Sequence, residues 1–420
     1  MDLPQLFRRA ATEFPASTAI DDGVTSRTLA ELIARAERLA NGLDALGVRA
    51  GASVGVLSEN RAEYLEADVA IVLARRVRVA LNARLGLDDI RYAVLDAGIE
   101  VLFHSAAHAE IANALGDELA IPTVSFDAGS DVRLWSEDLI ERSSAQRVVR
   151  PGTDADAAWI TYTSGTTGRP KGVVLSHRAL AEVAFNLLLE YGPVGGGELL
   201  VCTQALSHAS AYFALPYLVS GGGVRVMSRF DPELVWELSG RPDVHTLKLV
   251  PAMFPPLLDA ARPTGWGYET SIYGAAPIAG PILDEALDRF GPTLMQGYGQ
   301  SEAPCTLTCL RKQDHLDPVA RASAGRPWRS VNLQIRDEHG EEVPAGTVGE
   351  VTVAGDLLMT GYHGLPAATA DVLKDGWLRT RDLGKIDERG FVHLQGRVDD
   401  IINSGGYNVA PAEVEAVLLQ

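Results

Sequence analysis

A loop of glycines and hydroxyls between two apolar runs constrains this chain more than any other feature. Residues 157–161 are apolar and β-prone, and residues 173–175 form a second such run. The loop between them combines small, hydroxyl and cationic side chains: Thr163, Ser164, Gly165, Thr166, Thr167, Gly168 and Lys171. Glycine lets backbone N–H groups approach phosphate oxygens, hydroxyls add donors, and lysine adds a compact charge. The pattern predicts a loop between two strands that wraps a polyphosphate.

This loop differs from the P-loop pattern, in which a glycine, four further residues and then Gly-Lys-Ser/Thr follow one another. Pro170 precedes Lys171 here and Gly172 follows it, so the lysine sits on a different backbone. A flexible solvated turn is the simple alternative. Four hydroxyls and a lysine interleaved with glycines between apolar runs disfavour that alternative.

The order of helices and strands around the loop predicts an α/β fold. Thr28 and Glu31 form a capping box before an amphipathic helix, and Asn60 opens a later helix. Strands alternate with these helices, which predicts a parallel, doubly wound sheet, and residues 186–250 repeat the alternation. From residue 325 onward, short β-rich runs between glycines and prolines predict a small antiparallel barrel or sheet.

Composition and charge narrow the function. The chain has 420 residues, more than one ordinary core contains, so several domains or subdomains are expected. Hydrophobic residues make up 46%, which is typical of a globular protein, and the formal net charge is −18. The acidic balance argues against a nucleic-acid partner. The N-terminus has no apolar signal core and no apolar run reaches the length of a membrane span, so we expect a cytoplasmic protein. The three cysteines show no metal-binding or redox spacing.

A second glycine-rich segment supplies groups suited to a nucleotide. Tyr298 stands between Gly297 and Gly299 and presents a ring face for stacking a purine. Ser301 offers a hydroxyl to a phosphate, and Glu302 offers an oxygen ligand to Mg²⁺, which prefers one or two carboxylates plus phosphates. Taken alone, residues 296–302 are more readily interpreted as a glycine-rich turn with an exposed glutamate. The phosphate loop elsewhere in the chain favours the nucleotide.

Together these segments resemble the adenylate-forming superfamily of acyl-CoA synthetases, peptide-synthetase adenylation domains and luciferases. The resemblance runs through nearly the whole chain with its motifs in a fixed order. It implies two mixed, largely parallel sheets flanked by helices plus a small antiparallel β-barrel. It also implies that ATP and Mg²⁺ activate a carboxylic acid to an acyl adenylate, which coenzyme A then converts to a thioester. Lys171, Glu302 and His208 are the catalytic residues that it implies.

The resemblance assigns roles to further residues. One segment would line the adenine and the acyl substrate, with a tight turn as the alternative from the residues alone: Gly274, Ala275, Ala276 and Pro277. Asp382 would bind both ribose hydroxyls, although Arg381 replaces the glycine that usually precedes this aspartate in the family. Arg397 would contact ribose or phosphate oxygens. Asp399 would be the hinge about which a C-terminal domain swings.

Two pairs of residues carry narrower interpretations. Arg75 and Arg76 stand where family members usually have a small residue, and we interpret them as an exposed edge rather than a partner surface. Gly405 and Gly406 would approach the pantetheine thiol, with a surface hairpin as the alternative.

Residues 207–213 resemble the segment that enters the acyl pocket. His208 could face the reacting carboxylate or serve as a structural hydrogen-bonder, and the sequence leaves both open. In relatives that activate amino acids an aspartate here binds the substrate ammonium, and none stands between Ser207 and Pro216. A buried ammonium without a counter-ion is costly, so we expect a carboxylic acid lacking an α-amine. The pocket would be lined by His208, Tyr212, Met253, Ala275, Ala276 and Tyr298.

The resemblance also implies a domain plan. A large domain would span residues 1–398, with αβ subdomains over about 1–160 and 161–324 and the β-barrel over 325–398. Residues 399–420 would form the hinge and the start of a C-terminal domain. Relatives continue into a mobile domain with a lysine that binds the substrate carboxylate. We therefore expect this chain to bind ATP and the acid but to adenylate weakly.

Two other functions stay open at this point. In one, the acyl group passes to the phosphopantetheine of an acyl carrier protein instead of coenzyme A. In the other, the chain is a non-catalytic nucleotide-binding module. The sequence leaves the oligomeric state and the identity of the acid open.

Overall fold

A computed structural model describes residues 2–129, 132–163, 169–192, 194–260 and 265–398, together with the backbone of 402–404 and 407–409. The chain divides into two compact units. The first unit comprises Met1–Asp231, Pro242–Lys248 and Met359–Pro366, and the second comprises Pro232–Arg241, Leu249–Leu358 and Ala367–Gln420.

Helices and strands alternate along most of the chain. The helices are α1 (Leu3–Glu13), α2 (Leu29–Ala45), α3 (Ala62–Leu73), α4 (Leu87–Asp96), α5 (Ala109–Leu119), α6 (Ser136–Arg142), α7 (His177–Tyr191), α8 (Ser210–Ser220), α9 (Pro232–Leu238), α10 (Phe254–Asp259), α11 (Gly280–Phe290) and α12 (Pro366–Val372). The strands of the first half are β1 (Thr18–Asp21), β2 (Ser26–Thr28), β3 (Ser53–Leu57), β4 (Val77–Ala80), β5 (Ile99–His104), β6 (Thr123–Ser125), β7 (Leu134–Trp135), β8 (Ala157–Tyr162), β9 (Gly172–Ser176), β10 (Leu199–Cys202), β11 (Gly223–Val226) and β12 (Val244–Lys248). The remaining strands are β13 (Thr270–Gly274), β14 (Leu294–Gln300), β15 (Ala303–Leu310), β16 (Arg326–Pro327), β17 (Asn332–Arg336), β18 (Gly349–Ala354), β19 (Gly361–Tyr362), β20 (Leu373–Lys374), β21 (Trp377–Ile386), β22 (Val392–Arg397), β23 (Ile402–Ser404) and β24 (Tyr407–Val409).

The first unit contains an eight-stranded sheet in the order β19-β9-β8-β4-β3-β5-β6-β7. The strands from β8 to β7 in this order pair in parallel, whereas β8 with β9 and β9 with β19 pair antiparallel. Every residue of β3 and β4 is buried, as expected for parallel strands whose two faces are both covered. The antiparallel edge carries the glycine and hydroxyl loop between β8 and β9.

A second sheet in the first unit has the order β12-β10-β11-β1-β2. Its strands are parallel except for β1 with β2. Helix α8 packs against β10 and β11 and is buried from Ser210 to Leu218. The loop of residues 203–209 joins β10 to this helix. The segment of residues 207–213, which resembles the one entering an acyl pocket, therefore runs from this loop into α8.

The second unit combines mixed and antiparallel strands. Strands β13 and β14 are parallel, and β14 with β15 and β15 with β16 are antiparallel. Five further strands form an antiparallel sheet in the order β17-β18-β21-β20, with β22 paired to β21. Largely parallel mixed sheets flanked by helices, together with a small antiparallel sheet, confirm the predicted fold class. None of the helices in the described part of the chain combines the length and apolar character needed to cross a membrane.

The predicted capping box of α2 is confirmed, and a serine caps a second helix, α7. The Thr28 side chain accepts a hydrogen bond from the Glu31 backbone, and the Glu31 carboxylate accepts one in return from the Thr28 backbone, which completes the capping box of α2. Ser176 caps α7 by accepting from the Ala179 backbone N–H at 3.1 Å. In both helices the cap satisfies a backbone donor that the first turn leaves without an intrahelical partner.

The interpretation of Arg75 and Arg76 as an exposed edge is wrong. Arg76 is 4% exposed, and its guanidinium donates to the carbonyls of Ala74 and Val48. Arg75 has a left-handed backbone (φ 56°), and its side chain pairs with Asp2 at 2.6 Å. Arginine can be buried when its fork of donors meets acceptors, and two backbone carbonyls and the Asp44 carboxylate at 2.8 Å provide them here.

Asn60 also departs from its predicted position. Helix α3 begins at Ala62, and the backbone of Arg61 is extended at its N-cap. Asn60 is 8% exposed and directs its side chain to the backbone of Gln204, Leu206 and Met227. The residue therefore ties two segments of the first unit together instead of starting a helix.

His177 is a buried histidine whose ring nitrogens have no hydrogen-bond partner among the described residues. Burial lowers the pKa of His177 to about 4, with a smaller contribution from the charge of Arg75. His177 is therefore neutral in the folded protein at neutral pH. Because an unfolded histidine titrates near its ordinary value, the unfolded chain takes up a proton in a range where the folded chain does not.

We therefore expect acid to destabilise the protein through His177. The stability that neutral His177 contributes is fully present above pH ~6.5 and is lost as the pH falls from there to the folded pKa. Lowering the pH from 7.5 to 5.5 should therefore reduce the free energy of unfolding by about 1 kcal/mol. A His177→Phe variant keeps an apolar ring and should not show this part of the loss. Urea unfolding of both proteins at the two pH values measures the difference. Equal losses in wild type and variant would contradict the assignment.

Candidate functional site

The loop predicted to bind polyphosphate starts and ends on an antiparallel pair of strands. Tyr162 on β8 pairs with Gly172 on β9, and the Thr163 N–H donates to the Lys171 carbonyl at 3.1 Å. Thr163 and Lys171 are both half-buried. The centre of the loop lies outside the described residues: Ser164, Gly165, Thr166, Thr167 and Gly168. The structure thus describes the two ends from which the loop departs.

Lys171 lies over an aromatic ring that the sequence reading did not assign to the site. Its ammonium is 4.8 Å from the centroid of Tyr362, on β19, which pairs with β9 next to the lysine. Tyr362 itself is 9% exposed. A cation held over a ring gains about 0.5–2 kcal/mol, depending on desolvation. A glycine–tyrosine pair in a short β run was the only sequence signal for it.

Three residues from separate motifs meet in the second unit. The Tyr298 hydroxyl donates to one oxygen of Asp382 at 2.5 Å, and the Arg397 Nε donates to the other at 3.1 Å. Asp382 and Arg397 face each other on the paired strands β21 and β22. We call Tyr298, Asp382 and Arg397 the carboxylate cluster. Burial, and then the Asp382 charge, raise the pKa of Tyr298 well above its ordinary value. Its phenol stays protonated at neutral pH and remains a donor.

The glycines around Tyr298 are required by neighbouring backbone. A Cβ on Gly299 would lie 2.5 Å from the Cys305 nitrogen, and one on Gly274 would lie 2.2 Å from the Gly297 carbonyl oxygen. Such distances exclude any side chain. The glycines therefore allow β13, β14 and β15 to approach closely, and this packing sets where the Tyr298 ring lies.

Ser301 and Glu302 form the short turn between β14 and β15, since Gln300 pairs directly with Ala303. Both side chains are half-buried. Among the described residues no group of three or more His, Cys, Asp or Glu side chains is arranged to hold a metal ion. A magnesium ion that arrives with a nucleotide needs only one or two protein carboxylates. The single carboxylate of Glu302 is compatible with that mode of binding.

The segment after β13 is an exposed turn in this structure. Ala275, Ala276 and Pro277 are exposed, and Ala275 has a left-handed backbone with φ of 70°. Met253 ends a short 3₁₀ turn and is half-buried. Their predicted roles beside adenine and acid remain predictions, as does the hinge role of Asp399, which lies outside the described residues.

His208 and Tyr212 lie in different surroundings within the first unit. The His208 ring is exposed, and its Nδ1 is 2.8 Å from the Ser207 hydroxyl. Partial desolvation, and then the positive charges of Arg78 and Arg84, lower the pKa of His208, so the ring is neutral at pH 7. Tyr212 is only 5% exposed, and its hydroxyl is 3.0 Å from the Thr161 hydroxyl. A neutral His208 can donate or accept one hydrogen bond at a ligand.

The sequence model of the AMP-binding enzyme family matches residues 7–363. The chain belongs to the AMP-binding enzyme family. It is 38% identical to a feruloyl-CoA synthase of an Amycolatopsis species, covering 97% of this chain and 81% of the relative. It is 37% identical to the medium/long-chain fatty acid–CoA ligase FadD8 of Mycobacterium tuberculosis, covering 95% of this chain and 72% of the relative. Its fold matches ATP-bound MatB from Rhodopseudomonas palustris with a TM-score of 0.90 and 29% identity, over 99% of this chain and 83% of that one.

These comparisons confirm the resemblance inferred from the motifs. The family match covers the phosphate loop, the Tyr298 segment and Glu302, and it ends before Asp382 and Arg397. The relatives match over the greater part of their own length as well as of this chain. This AMP-binding enzyme is therefore an adenylate-forming ligase by family.

Arg381 occupies the backbone conformation that a glycine would adopt without strain. Its φ is 63°, and its N–H donates to the Glu350 carboxylate at 3.1 Å. The turn before Asp382 is thus kept although the glycine of the family pattern is absent. For an L-residue this conformation costs about 1–2 kcal/mol.

We expect Arg381→Gly to match or exceed the wild-type stability of this AMP-binding enzyme. Arg381→Val should lose about 1–2 kcal/mol, because β-branched residues fit a left-handed backbone poorly. Urea unfolding measures both. Lys385→Gly in the same strand is the control, since its backbone is not left-handed and glycine there should cost about 0.5–1 kcal/mol. Equal destabilisation by the two glycine variants would refute the strain at Arg381.

Proposed function

We propose that this chain is an acid–coenzyme A ligase for a carboxylic acid that lacks an α-amine. In the first step a carboxylate oxygen attacks the α-phosphorus of ATP, the bond to pyrophosphate breaks, and an acyl adenylate forms. In the second step the thiol of coenzyme A attacks the acyl carbon and AMP leaves. The thiol proton passes to solvent or to a base.

The carboxylate cluster is the observation that carries this proposal. A stacking ring, an acceptor for a sugar diol and a cation for phosphate oxygens were each inferred from a different motif, and the ring and the cation are both hydrogen-bonded to the acceptor, Asp382. A carboxylate has about four lone-pair positions, so Asp382 can hold ribose hydroxyls while Arg397 remains bonded. Arg397 then keeps the carboxylate in position for both hydroxyls.

Lys171 is the residue to which we assign charge stabilisation during attack on phosphorus. Negative charge grows on the phosphate oxygens as the bond to pyrophosphate breaks, and a preorganised cation lowers that barrier. The ring of Tyr362 holds the ammonium, which reduces the cost of ordering a flexible side chain. Glu302 would hold a magnesium ion, and that ion would neutralise phosphate charge when bound.

The acid is proposed to be aromatic or aliphatic and to carry no ammonium. The relatives named above act on ferulate and on medium- or long-chain fatty acids. In this chain the segment 207–216 offers no carboxylate that could pair with an α-amine. A buried ammonium without such a partner is strongly disfavoured.

A matched pair of acids tests this class. In the presence of Mg·ATP, 3-phenylpropanoate, ferulate or decanoate should raise the melting temperature, whereas phenylalanine should not. Phenylalanine differs from 3-phenylpropanoate only by its α-amine, so the pair isolates the ammonium. A shift with phenylalanine as large as that with 3-phenylpropanoate would overturn the proposed acid class.

Mass spectrometry of the products separates the possible acceptors. After incubation with Mg·ATP, the acid that gives the largest shift, and coenzyme A, we expect the acyl thioester and AMP. An identical reaction with a phosphopantetheine-loaded carrier protein should give less acylated product. Acylation of the carrier alone would replace coenzyme A as the acceptor, and absence of both adenylate and thioester would favour a non-catalytic module.

Substitutions in the carboxylate cluster test the nucleotide site directly. Asp382→Asn keeps the shape but removes the charge, so AMP affinity measured by isothermal titration should fall about tenfold to a hundredfold. Tyr298→Phe keeps the stacking ring and should change the affinity by less than about threefold. Asp371→Asn, an exposed carboxylate on α12, is the control and should have no effect. Unchanged AMP affinity in Asp382→Asn would exclude Asp382 from the nucleotide site.

A further inference from the structure

Arg78 is a buried cation in the first unit that the proposed chemistry leaves unused. It is 1% exposed on β4. Its Nε donates to Asp68 at 2.9 Å, and its Nη2 donates to the Tyr64 hydroxyl at 3.1 Å and to the Leu206 carbonyl at 2.8 Å. The guanidinium carbon also lies 4.5 Å from the centroid of the Trp159 ring. These contacts leave the guanidinium very little freedom to move.

The pairing with Asp68 does not explain the burial of this charge. Asp68 is 5% exposed, and its second oxygen has no partner among the described residues. Burial raises the pKa of the Asp68 carboxyl above its ordinary value even though Arg78 acts in the opposite direction. Buried ion pairs can often be replaced by apolar residues without loss of stability. The contact that an apolar residue could not make is the one to the Leu206 carbonyl.

Asn60 holds the same loop from another side. Its amide nitrogen donates to the carbonyls of Gln204 at 2.7 Å and Met227 at 3.0 Å, and its oxygen accepts from the Leu206 N–H at 2.8 Å. Both peptide groups of Leu206 are therefore fixed by buried side chains, one by Asn60 and one by Arg78. We call Asn60 and Arg78 the loop clamp.

The residue that the loop clamp holds, Leu206, lies two positions before His208. Ser207 is 6% exposed, whereas the ring of His208 is exposed and bonded only to its neighbour's hydroxyl in the contacts described above. The His208 N–H donates to the Ala205 carbonyl at 3.1 Å, so the backbone of the histidine is tied to the clamped loop. An exposed ring keeps a defined position only if its backbone is held, because side-chain order is entropically costly.

We propose that Arg78 and Asn60 are positioning residues for the acyl-binding segment and that they set the position of His208 relative to the acid. This inference rests on the acid-activating function proposed above. A site that must hold a reacting group to within about half an ångström needs supporting side chains whose own conformations are locked. Arg78 supplies that support with a planar fork that meets Asp68, Tyr64 and the loop together, which a lysine cannot reproduce.

Binding of an acyl-adenylate mimic, compared with AMP alone, tests the loop clamp. The probes are feruloyl- and decanoyl-sulfamoyladenosine, of which the tighter binder is used, and AMP, each measured by isothermal titration. Arg78→Lys keeps a positive partner for Asp68, and Asn60→Ala removes the other half of the clamp. Each should weaken the mimic about tenfold more than it weakens AMP, the loss expected for one misplaced charged or buried hydrogen bond.

Arg8→Lys is the matched control. Arg8 forms an ion pair with Glu37 at 2.7 Å, with side-chain exposures of 15% and 7%, and has no described contact with the loop. It should change the affinities for mimic and AMP equally, by less than about twofold. Should Arg78→Lys or Asn60→Ala not fold, the double variant Arg78→Met/Asp68→Leu replaces it, because removing both charges leaves no unpaired ion.

A double-mutant cycle with His208→Ala tests whether the clamp acts through the histidine. In the His208→Ala background the additional loss caused by Arg78→Lys should shrink to less than about twofold, because the positioned group is already gone. A purely structural role would leave that loss unchanged and would overturn the inference. Equal weakening of mimic and AMP by the clamp variants would overturn it as well.

The wild-type titrations separate the two proposals. A wild type that binds the mimic at least about a hundredfold more tightly than AMP supports the acid-activating function, because such a site favours the reaction intermediate. If the clamp variants keep that preference, the positioning role fails and the function stands. If the wild type binds neither mimic more tightly than AMP, both proposals fail together.

Discussion

The two oxygens of one carboxylate hold together the part of this molecule that most resembles a nucleotide site. Asp382 accepts from Tyr298 through one oxygen and from Arg397 through the other. Three segments of the second unit are thereby linked by charge-assisted hydrogen bonds, which are stronger than neutral ones. The arrangement orients an aromatic ring and a guanidinium around a group that still has free lone pairs. Under the proposed function a ribose would join this network without breaking it, since its hydroxyls would donate where lone pairs remain.

The capping box and the candidate site residues could be named from the sequence because each depends on its own short segment. Thr28 and Glu31 form the capping box that their spacing predicts. Tyr298 and Asp382 were each predicted from their own segment, and the structure brings them into contact. What a sequence does not contain is the partner across a sheet. The ring of Tyr362 reaches Lys171 only because β19 pairs with β9, and strand pairing of this kind depends on tertiary structure.

The sequence analysis placed Arg76 at the surface because a sequence does not show the acceptors that a buried arginine will meet. Arg76 was expected at an exposed edge because arginine is mostly a surface residue. In the structure its guanidinium reaches two backbone carbonyls and the carboxylate of Asp44 instead of solvent. Glycine has a packing role at two of the predicted positions, since Gly274 and Gly299 lie where neighbouring backbones approach closely. Ala275 and Arg381 adopt left-handed backbones although neither is a glycine. At Arg381 the backbone has a conformation that favours glycine although arginine stands there.

Arginine ion pairs in one unit can therefore have different consequences, and the difference lies in which acceptors the guanidinium reaches. The described contact of Arg8 is with Glu37, so the pair mainly neutralises its own charges. Arg78 uses one nitrogen for Asp68 and another for the carbonyl of a loop. A carbonyl accepts along defined directions, so such a bond fixes orientation as well as distance. Desolvating a charge is costly in both places, but only the second arrangement uses that charge to orient a segment that an apolar side chain could not hold.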